Sequence, residues 1–213
     1  MRPNNETLSL ILTALVAANM NVKALELFRL NLHKQQVKPL VKDYTVVISI
    51  YTRNAQMHDA LILLDRMIRV SVKPNKYTYN LLIKGFYDLL DVKMHRKRTY
   101  RPYPKVIETK RPVIKDPAVS QLYQLLESGT NPIGLALRVF QMQQSHFEET
   151  KDPSVELDIK SYNTLLDALV ENNMMSEAEN LMKTIVGKHL TPTPVTMNIM
   201  MKGFLAEDDV EKA

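Results

Sequence analysis

An all-α fold, an α-solenoid of antiparallel helix hairpins, is predicted by three observations. Residue types recur at a spacing of 35: Tyr44-Thr45 with Tyr79-Asn80, Pro39 with Pro74, Tyr162-Asn163 with Met197-Asn198, and Ala178 with Ala213. Within each period the apolar residues fall at i, i+3, i+4 and i+7, the spacing of one helical face. Only 5 glycines occur among 213 residues, and glycine costs about 1 kcal/mol relative to alanine inside a helix. A period of this length marks one supersecondary unit, which buries its apolar face only by stacking on its neighbours.

The units follow in chain order. Residues 1–40 form repeat 1, whose second helix carries Ala24-Leu25-Glu26-Leu27-Phe28 in a slightly relaxed register. Residues 41–75 form repeat 2, with Tyr44, Val47, Ile48 and Tyr51 on the first helix and Ala60, Leu61, Leu64, Met67 and Ile68 on the second. Asn54-Ala55-Gln56 is the turn between them. Pro74 ends the unit, because it has no amide hydrogen and its ring clashes with a preceding turn, and Asn75 is placed to cap the next helix.

Repeat 3, residues 76–158, opens at Lys76–Tyr87, but its second helix resumes only near Gly134–Phe140. A basic insertion, about 91–131, separates the halves, and within it Ala118–Leu126 reads as an extra helix. A second insertion, Ser145–Pro153, reads as a lengthened surface turn carrying Glu148 and Glu149. Residues 159–193 form repeat 4, and 194–213 a truncated repeat 5, which reads as a piece of a longer protein. Ala24, Ala60, Ala136, Ala178 and Ala213 fall at equivalent places in the second helices, where a small side chain lets neighbouring helices approach.

Composition removes several classes of function. With no cysteine, disulfides, thiolate metal sites and cysteine nucleophiles are excluded together. The longest apolar stretch, Leu8–Ala18, is too short for a bilayer span, which needs about 20 residues; no membrane association is expected. No targeting leader is visible at the start of the chain. The glycines at 85, 129, 134, 187 and 203 form no phosphate-cradling loop, and the histidines at 33, 58, 95, 146 and 189 lack metal-ligand spacing. Asp208-Asp209 and Glu148-Glu149 read as solvated charge. No catalytic residue, metal site or cofactor is expected.

The segments Tyr79-Asn80-Leu81-Leu82-Ile83-Lys84-Gly85-Phe86, Ala24-Leu25-Glu26-Leu27-Phe28, Val72-Lys73-Pro74-Asn75 and Ser161-Tyr162-Asn163-Thr164-Leu165-Leu166 resemble pentatricopeptide repeats. The closing Lys-Pro-Asn fits this type better than the tetratricopeptide repeat, whose protein-binding scaffold is a third reading. The resemblance implies a right-handed solenoid whose first helices line a groove, each repeat reading one base of single-stranded RNA, in a mitochondrion or alternatively a chloroplast.

By the same resemblance, a base is chosen by the residue after the helix-opening tyrosine together with the last residue of the repeat. Thr45 with Asn75 resembles an adenine-selecting pair, and Asn80 with Asp158 a uracil-selecting one, provided that the insertion leaves the register intact. Asn163 with Thr193 implies a weak pyrimidine preference, Asn198 has its partner past the last residue, and Ser9 with Leu40 departs from the pattern. Stacking between successive repeats falls to Glu6, Lys42, Tyr77, Lys160 and Val195. Tyr77 and Val195 suit that role, the two lysines suit phosphate, and Glu6 repels it. Asn, Thr and Asp in these places are also ordinary helix caps.

Charge points elsewhere. Residues 91–115 hold nine Lys or Arg against two acids, a net +7 in a chain of net +5, so the remainder sums to −2. Basic charge belongs where phosphate is bound. The insertion, with Arg96, Lys97, Arg98, Arg101, Lys110 and Arg111, and with Tyr100 and Tyr103 as stacking rings, therefore reads as an extended basic arm kept from helix by Pro102, Pro104 and Pro112. Two functions compete: an organellar RNA-binding protein acting on RNA stability, processing or translation, and a structural subunit of a mitochondrial ribosome holding ribosomal RNA and neighbouring ribosomal proteins.

Overall fold

The computed structural model describes residues 4–34, 37–94, 102–107 and 113–206. In chain order the helices are α1 (Asn5–Ala17), α2 (Asn21–Lys34), α3 (Val41–Arg53), α4 (Met57–Arg69), α5 (Lys76–Met94), α6 (Pro117–Glu127), α7 (Pro132–Thr150), α8 (Ile159–Glu171), α9 (Met175–Gly187) and α10 (Pro194–Ala206). No strand occurs among the described residues. Helices α1, α3, α5, α8 and α10 stack side by side in one layer, each touching the next. Helices α2, α4, α7 and α9 each fold back on the first helix of their own pair and lean on that of the following pair. The result is the solenoid that the period predicts.

Close packing follows from residue size. Ala24, Ala60, Ala136 and Ala178 are all fully buried. The helix-opening tyrosines Tyr44, Tyr79 and Tyr162 are buried too, and two meet an aromatic of the preceding second helix edge-on, Phe28–Tyr44 at 5.3 Å and Phe140–Tyr162 at 5.2 Å between ring centres. That geometry adds about 0.5–1.5 kcal/mol beyond area burial. Tyr79 instead places its hydroxyl 2.9 Å from His146 Nδ1 on α7.

The hairpin turns share one mechanism. Asn19, Ala55 and Asn173 take positive φ values of 57°, 56° and 56°. At each turn, the N–H of that residue bonds a carbonyl three back and the next N–H a carbonyl five back, as in Ala55 N to Thr52 O at 3.1 Å and Gln56 N to Tyr51 O at 2.9 Å. This is the Schellman closure of a helix end, which favours glycine or asparagine at the left-handed residue. Alanine lacks their tolerance, so Ala55→Gly is expected to raise stability by about 0.5–1 kcal/mol, read as a higher urea midpoint with an unchanged slope.

Two expectations are corrected. Ser145–Thr150 do not form a turn but the last part of α7. That helix and α5 are both 19 residues long, against 13 for α3 and α8, so the third hairpin is longer as a whole. The extension is held by contacts: Tyr79 meets His146, and Gln143 Nε2 donates to Val155 O at 3.0 Å. The chain reverses only at Lys151, at φ 51°.

The insertion is not a free arm where it is described. Residues 102–107 are fastened to the turn of the second hairpin: Gln56 Oε1 accepts from Tyr103 N at 2.6 Å, Tyr51 Oη donates to Pro104 O at 2.9 Å, and Val106 N donates to Tyr51 Oη at 2.8 Å. Val106 is buried against the core. Further on, α6 lies against both α4 and α7, its Asp116 cap accepting from Val119 N at 2.9 Å.

Candidate nucleic-acid interface

Each first helix of the array presents the same three places at its N-terminal end. The cap residue, the second residue and the fifth residue of an α-helix lie within its first turn and a half. In α3, α5, α8 and α10 the second residues are Lys42, Tyr77, Lys160 and Val195, all exposed, Tyr77 to 61% and Val195 to 58%. The fifth residues are Thr45, Asn80, Asn163 and Asn198, and the caps between successive helices are Leu40, Asn75, Asp158 and Thr193.

Between α3 and α5 these places enclose a cleft of about 680 Å³, lined by Lys42, Thr45 and Val46 on one side and Tyr77, Asn80, Leu81 and Lys84 on the other, with Asn75 at the junction and Thr164 of α8 also at its edge. An exposed ring and apolar walls suit a flat heterocycle, which gains about 1–3 kcal/mol by stacking on an aromatic. The ammonium groups of Lys42 and Lys84 stand beside the polar Thr45, Asn75 and Asn80, that of Lys84 paired with Asp88 Oδ1 at 3.4 Å. Thr45, Asn75, Asn80, Lys42 and Tyr77, all expected from the sequence, meet in this cleft; Lys84, Leu81 and Thr164 also line it and were not expected, although Leu81 has apolar counterparts in Val46 and Ile199 and Lys84 one in Lys202.

The caps do two things at once. Asn75 Oδ1 accepts from Thr78 N at 3.1 Å, the ordinary capping bond, which leaves its amide nitrogen for other use. Asp158 Oδ1 accepts from Ser161 N at 3.0 Å, while Oδ2 pairs with Lys76 Nζ at 3.1 Å. The α8 helix packs on α5, but no hydrogen bond joins Asn80 to Ser161 or Asp158 there as Thr45 is joined to Thr78 and Asn163 to Thr196, and Asn80 Oδ1 is buried without a partner. Asn163 Nδ2 donates to Thr193 Oγ1 at 3.4 Å. Ser9 instead donates to Asp43, and Leu40 offers no capping side chain. Asn198 is exposed on α10.

Burial raises the affinity of Asp158 for a proton, but the Ser161 N–H and the Lys76 ammonium outweigh it and hold this carboxyl below its ordinary value. A carboxyl with a depressed folded-state pKa stabilises the protein above the unfolded value of about 3.9, and that contribution is lost as pH falls through the folded value. Urea titrations of Asp158→Asn are therefore expected to show a lower midpoint than wild type at pH 6, with the gap closing as the pH drops below the carboxylate range.

Tyr103 is corrected. It is half-buried against the core, and Asn21 Nδ2 donates to its hydroxyl at 3.1 Å, so its ring serves the fold rather than a base. Its anchors Tyr51 and Gln56 lie at the far end of α3 from Thr45, about 9 Å or more along the axis at 1.5 Å per residue. Arg96, Lys97, Arg98, Tyr100, Arg101, Lys110 and Arg111 lie outside the described residues. Among the described residues no group of three His, Asp or Glu side chains is placed to hold a metal, and no helix is long and apolar enough to cross a membrane.

The profile of the PPR repeat family matches residues 40–88 and 157–212. The chain belongs to the pentatricopeptide repeat family. The matched segments hold the second pair, the opening of the third, and everything from the Asp158 cap onward, so the unmatched interior coincides with the insertion and α7. Among solved structures, the pentatricopeptide repeat protein PPR10 in complex with an 18-nt psaJ RNA element matches 94% of this chain at 16% identity with a TM-score of 0.51, the match covering 22% of that chain. A serine-substituted form of PPR10 with the same 18-nt element matches 92% of this chain and 35% of its own at 19% identity, and PPR10 from maize 99% and 33% at 18%, both with a TM-score of 0.36. The chain thus spans about a fifth of the length of the first of these, and the likeness shows the pentatricopeptide repeat fold. Comparison with curated proteins finds no match.

Proposed function

We propose that this chain binds single-stranded RNA along the N-terminal ends of its first helices, one nucleotide per pentatricopeptide repeat, and so acts on the stability, processing or translation of that RNA in a mitochondrion, with a chloroplast as the alternative compartment. The observation that carries this reading is the cleft between α3 and α5, where Tyr77 and Lys42 flank Thr45, Asn75 and Asn80. The same fold in PPR10 is seen in complex with an 18-nt RNA element. The chain acts as a binder, without chemistry of its own.

Electrophoretic shift assays on randomised single-stranded RNA test the proposal. Enrichment of a sequence is expected, and Asn75→Ala is expected to cut the preference at one nucleotide about tenfold or more while leaving the others in place. Equal binding to every pool, or none, would overturn it.

The fastening of residues 102–107 favours a second reading. It holds residues 102–107, the described middle of the basic insertion, at the turn end of the second hairpin, away from the caps. A structural subunit of a mitochondrial ribosome would use that side for ribosomal RNA and the repeats for ribosomal proteins. Co-sedimentation with organellar ribosomes through high salt supports this reading; absence from the ribosomal fractions removes it.

A further inference from the structure

Beneath the line of caps and fifth residues runs a second line of polar side chains, Asp43, Thr78, Ser161 and Thr196, each the third residue of its helix and each fully buried. Buried polar atoms of this kind persist only with partners, and here the partners are the base-reading positions. The Thr78 hydroxyl donates to Asn75 Oδ1 at 3.1 Å and stands 3.1 Å from Thr45 Oγ1. The Thr196 hydroxyl donates to Asn163 Oδ1 at 2.8 Å and stands 3.1 Å from Thr193 Oγ1. Ser161 reaches only the cap, donating to Asp158 Oδ1 at 3.2 Å. Asp43 accepts from the Ser9 hydroxyl and, at 2.7 Å, from the Leu40 N–H.

These bonds decide which end of an asparagine amide faces outward. The carbonyl and amino ends of the group are nearly the same in shape, so its orientation is set by what the inward end touches. A hydroxyl carries a single hydrogen. At Thr196 the Thr193 N–H occupies the hydroxyl oxygen at 3.0 Å, which directs the hydroxyl's hydrogen outward onto an acceptor and draws the Asn163 carbonyl in. One Nδ2 hydrogen points to Thr193, and the other is left for a base. Thr78 treats Asn75 alike, with its N–H and its hydroxyl both on Oδ1. Across the insertion, where Ser161 makes no such bond, the Asn80 carbonyl oxygen is buried without a hydrogen-bond partner.

We propose that Thr78 and Thr196 are positioning residues for base selection, holding Asn75 and Asn163 with their amide donors outward, so that each of these two repeats is specified by three residues, the third of which never touches RNA. This rests on the RNA-binding reading above and adds a residue to it.

The test is selection from a randomised single-stranded RNA pool with wild type, Thr78→Val, Thr78→Ser and Thr196→Val, each also melted by circular dichroism. Valine fills the space of threonine without the hydroxyl. Thr78→Val is expected to lose about tenfold of the preference at the nucleotide that Asn75→Ala also affects, with pool affinity held within about twofold, and Thr196→Val to do the same at a different nucleotide. Thr78→Ser restores the preference. The proposal is overturned if both valine variants keep every wild-type preference, or if they weaken all sequences equally in step with a lower melting temperature. A wild type that selects no sequence overturns the RNA reading itself and this role with it, a result distinct from a selective wild type with equally selective variants.

Discussion

Gly85→Ala is expected to lower stability by about 2 kcal/mol, whereas Gly187→Ala is expected to raise it by about 0.5 kcal/mol. The two substitutions add the same methyl group to a helix, and alanine is the better helix former at both. What differs is the neighbour. A Cβ on Gly85 would stand 2.8 Å from Thr52 Cβ and 2.7 Å from Met57 Sδ. The thioether can swing aside, but Thr52 Cβ is bonded to backbone and moves only if α3 and α5 separate. Nothing lies within 4 Å of the corresponding point on Gly187. Overpacking therefore outweighs propensity at one site and is absent from the other. Chemical denaturation of both variants checks the sign; equal shifts in the same direction would show that the α3–α5 approach is not what selects glycine. Gly203 repeats the arrangement against Met175 and Val170, so the close contact belongs to the first-helix layer and not to one accident of packing.

The hairpins were legible because they are local: an apolar stripe of period 3.6, a left-handed turn residue and a cap leave marks within a few residues of each other. Val41, Lys76, Ile159 and Pro194 open helices where the spacing opens its units. The end of α7 was not legible, since Ser145–Thr150 is polar and reads as turn, while the bonds that extend the helix come from Tyr79 and Val155 elsewhere in the chain. The fastening of residues 102–107 was hidden for a related reason. It depends on the Tyr51 hydroxyl meeting the backbone of Pro104 and Val106, and backbone groups carry no sequence signal.

The interface divides in the same way. Thr45, Asn75 and Asn80 are legible from the period and from the resemblance. The buried layer below them kept the period too, Asp43 with Thr78 and Ser161 with Thr196 at 35 residues. A lone Thr or Ser in a first turn reads as capping, and only the geometry shows that it also grips the reader of the preceding pair. Composition showed how much positive charge the insertion carries, but not that its middle is tied to the end of α3 away from the cleft.

The anchor of the extra helix carries the other large effect, with Asp65→Ala expected to cost about 3 kcal/mol and Asp65→Asn about 1 kcal/mol. Asp65 is 1% exposed on α4. Its Oδ1 accepts from both Lys115 N and Asp116 N at 2.9 Å, the two amides that lead into α6. Its Oδ2 faces Arg69 Nε at 2.8 Å, an ion pair lying off the hydrogen-bonding direction. Alanine removes every acceptor and leaves a guanidinium without its counter-charge, softened because Arg69 is 33% exposed and reaches water. Asparagine keeps one oxygen for the two amides and gives up only the charge. If the carboxylate acts through α6, hydrogen exchange in Asp65→Ala will accelerate first at the amides of residues 118–127 of that helix, before any loss in α3 or α8. Uniform acceleration along the whole solenoid would place its effect in the core of α4 instead, and would separate the insertion from the stability of the repeats that it interrupts.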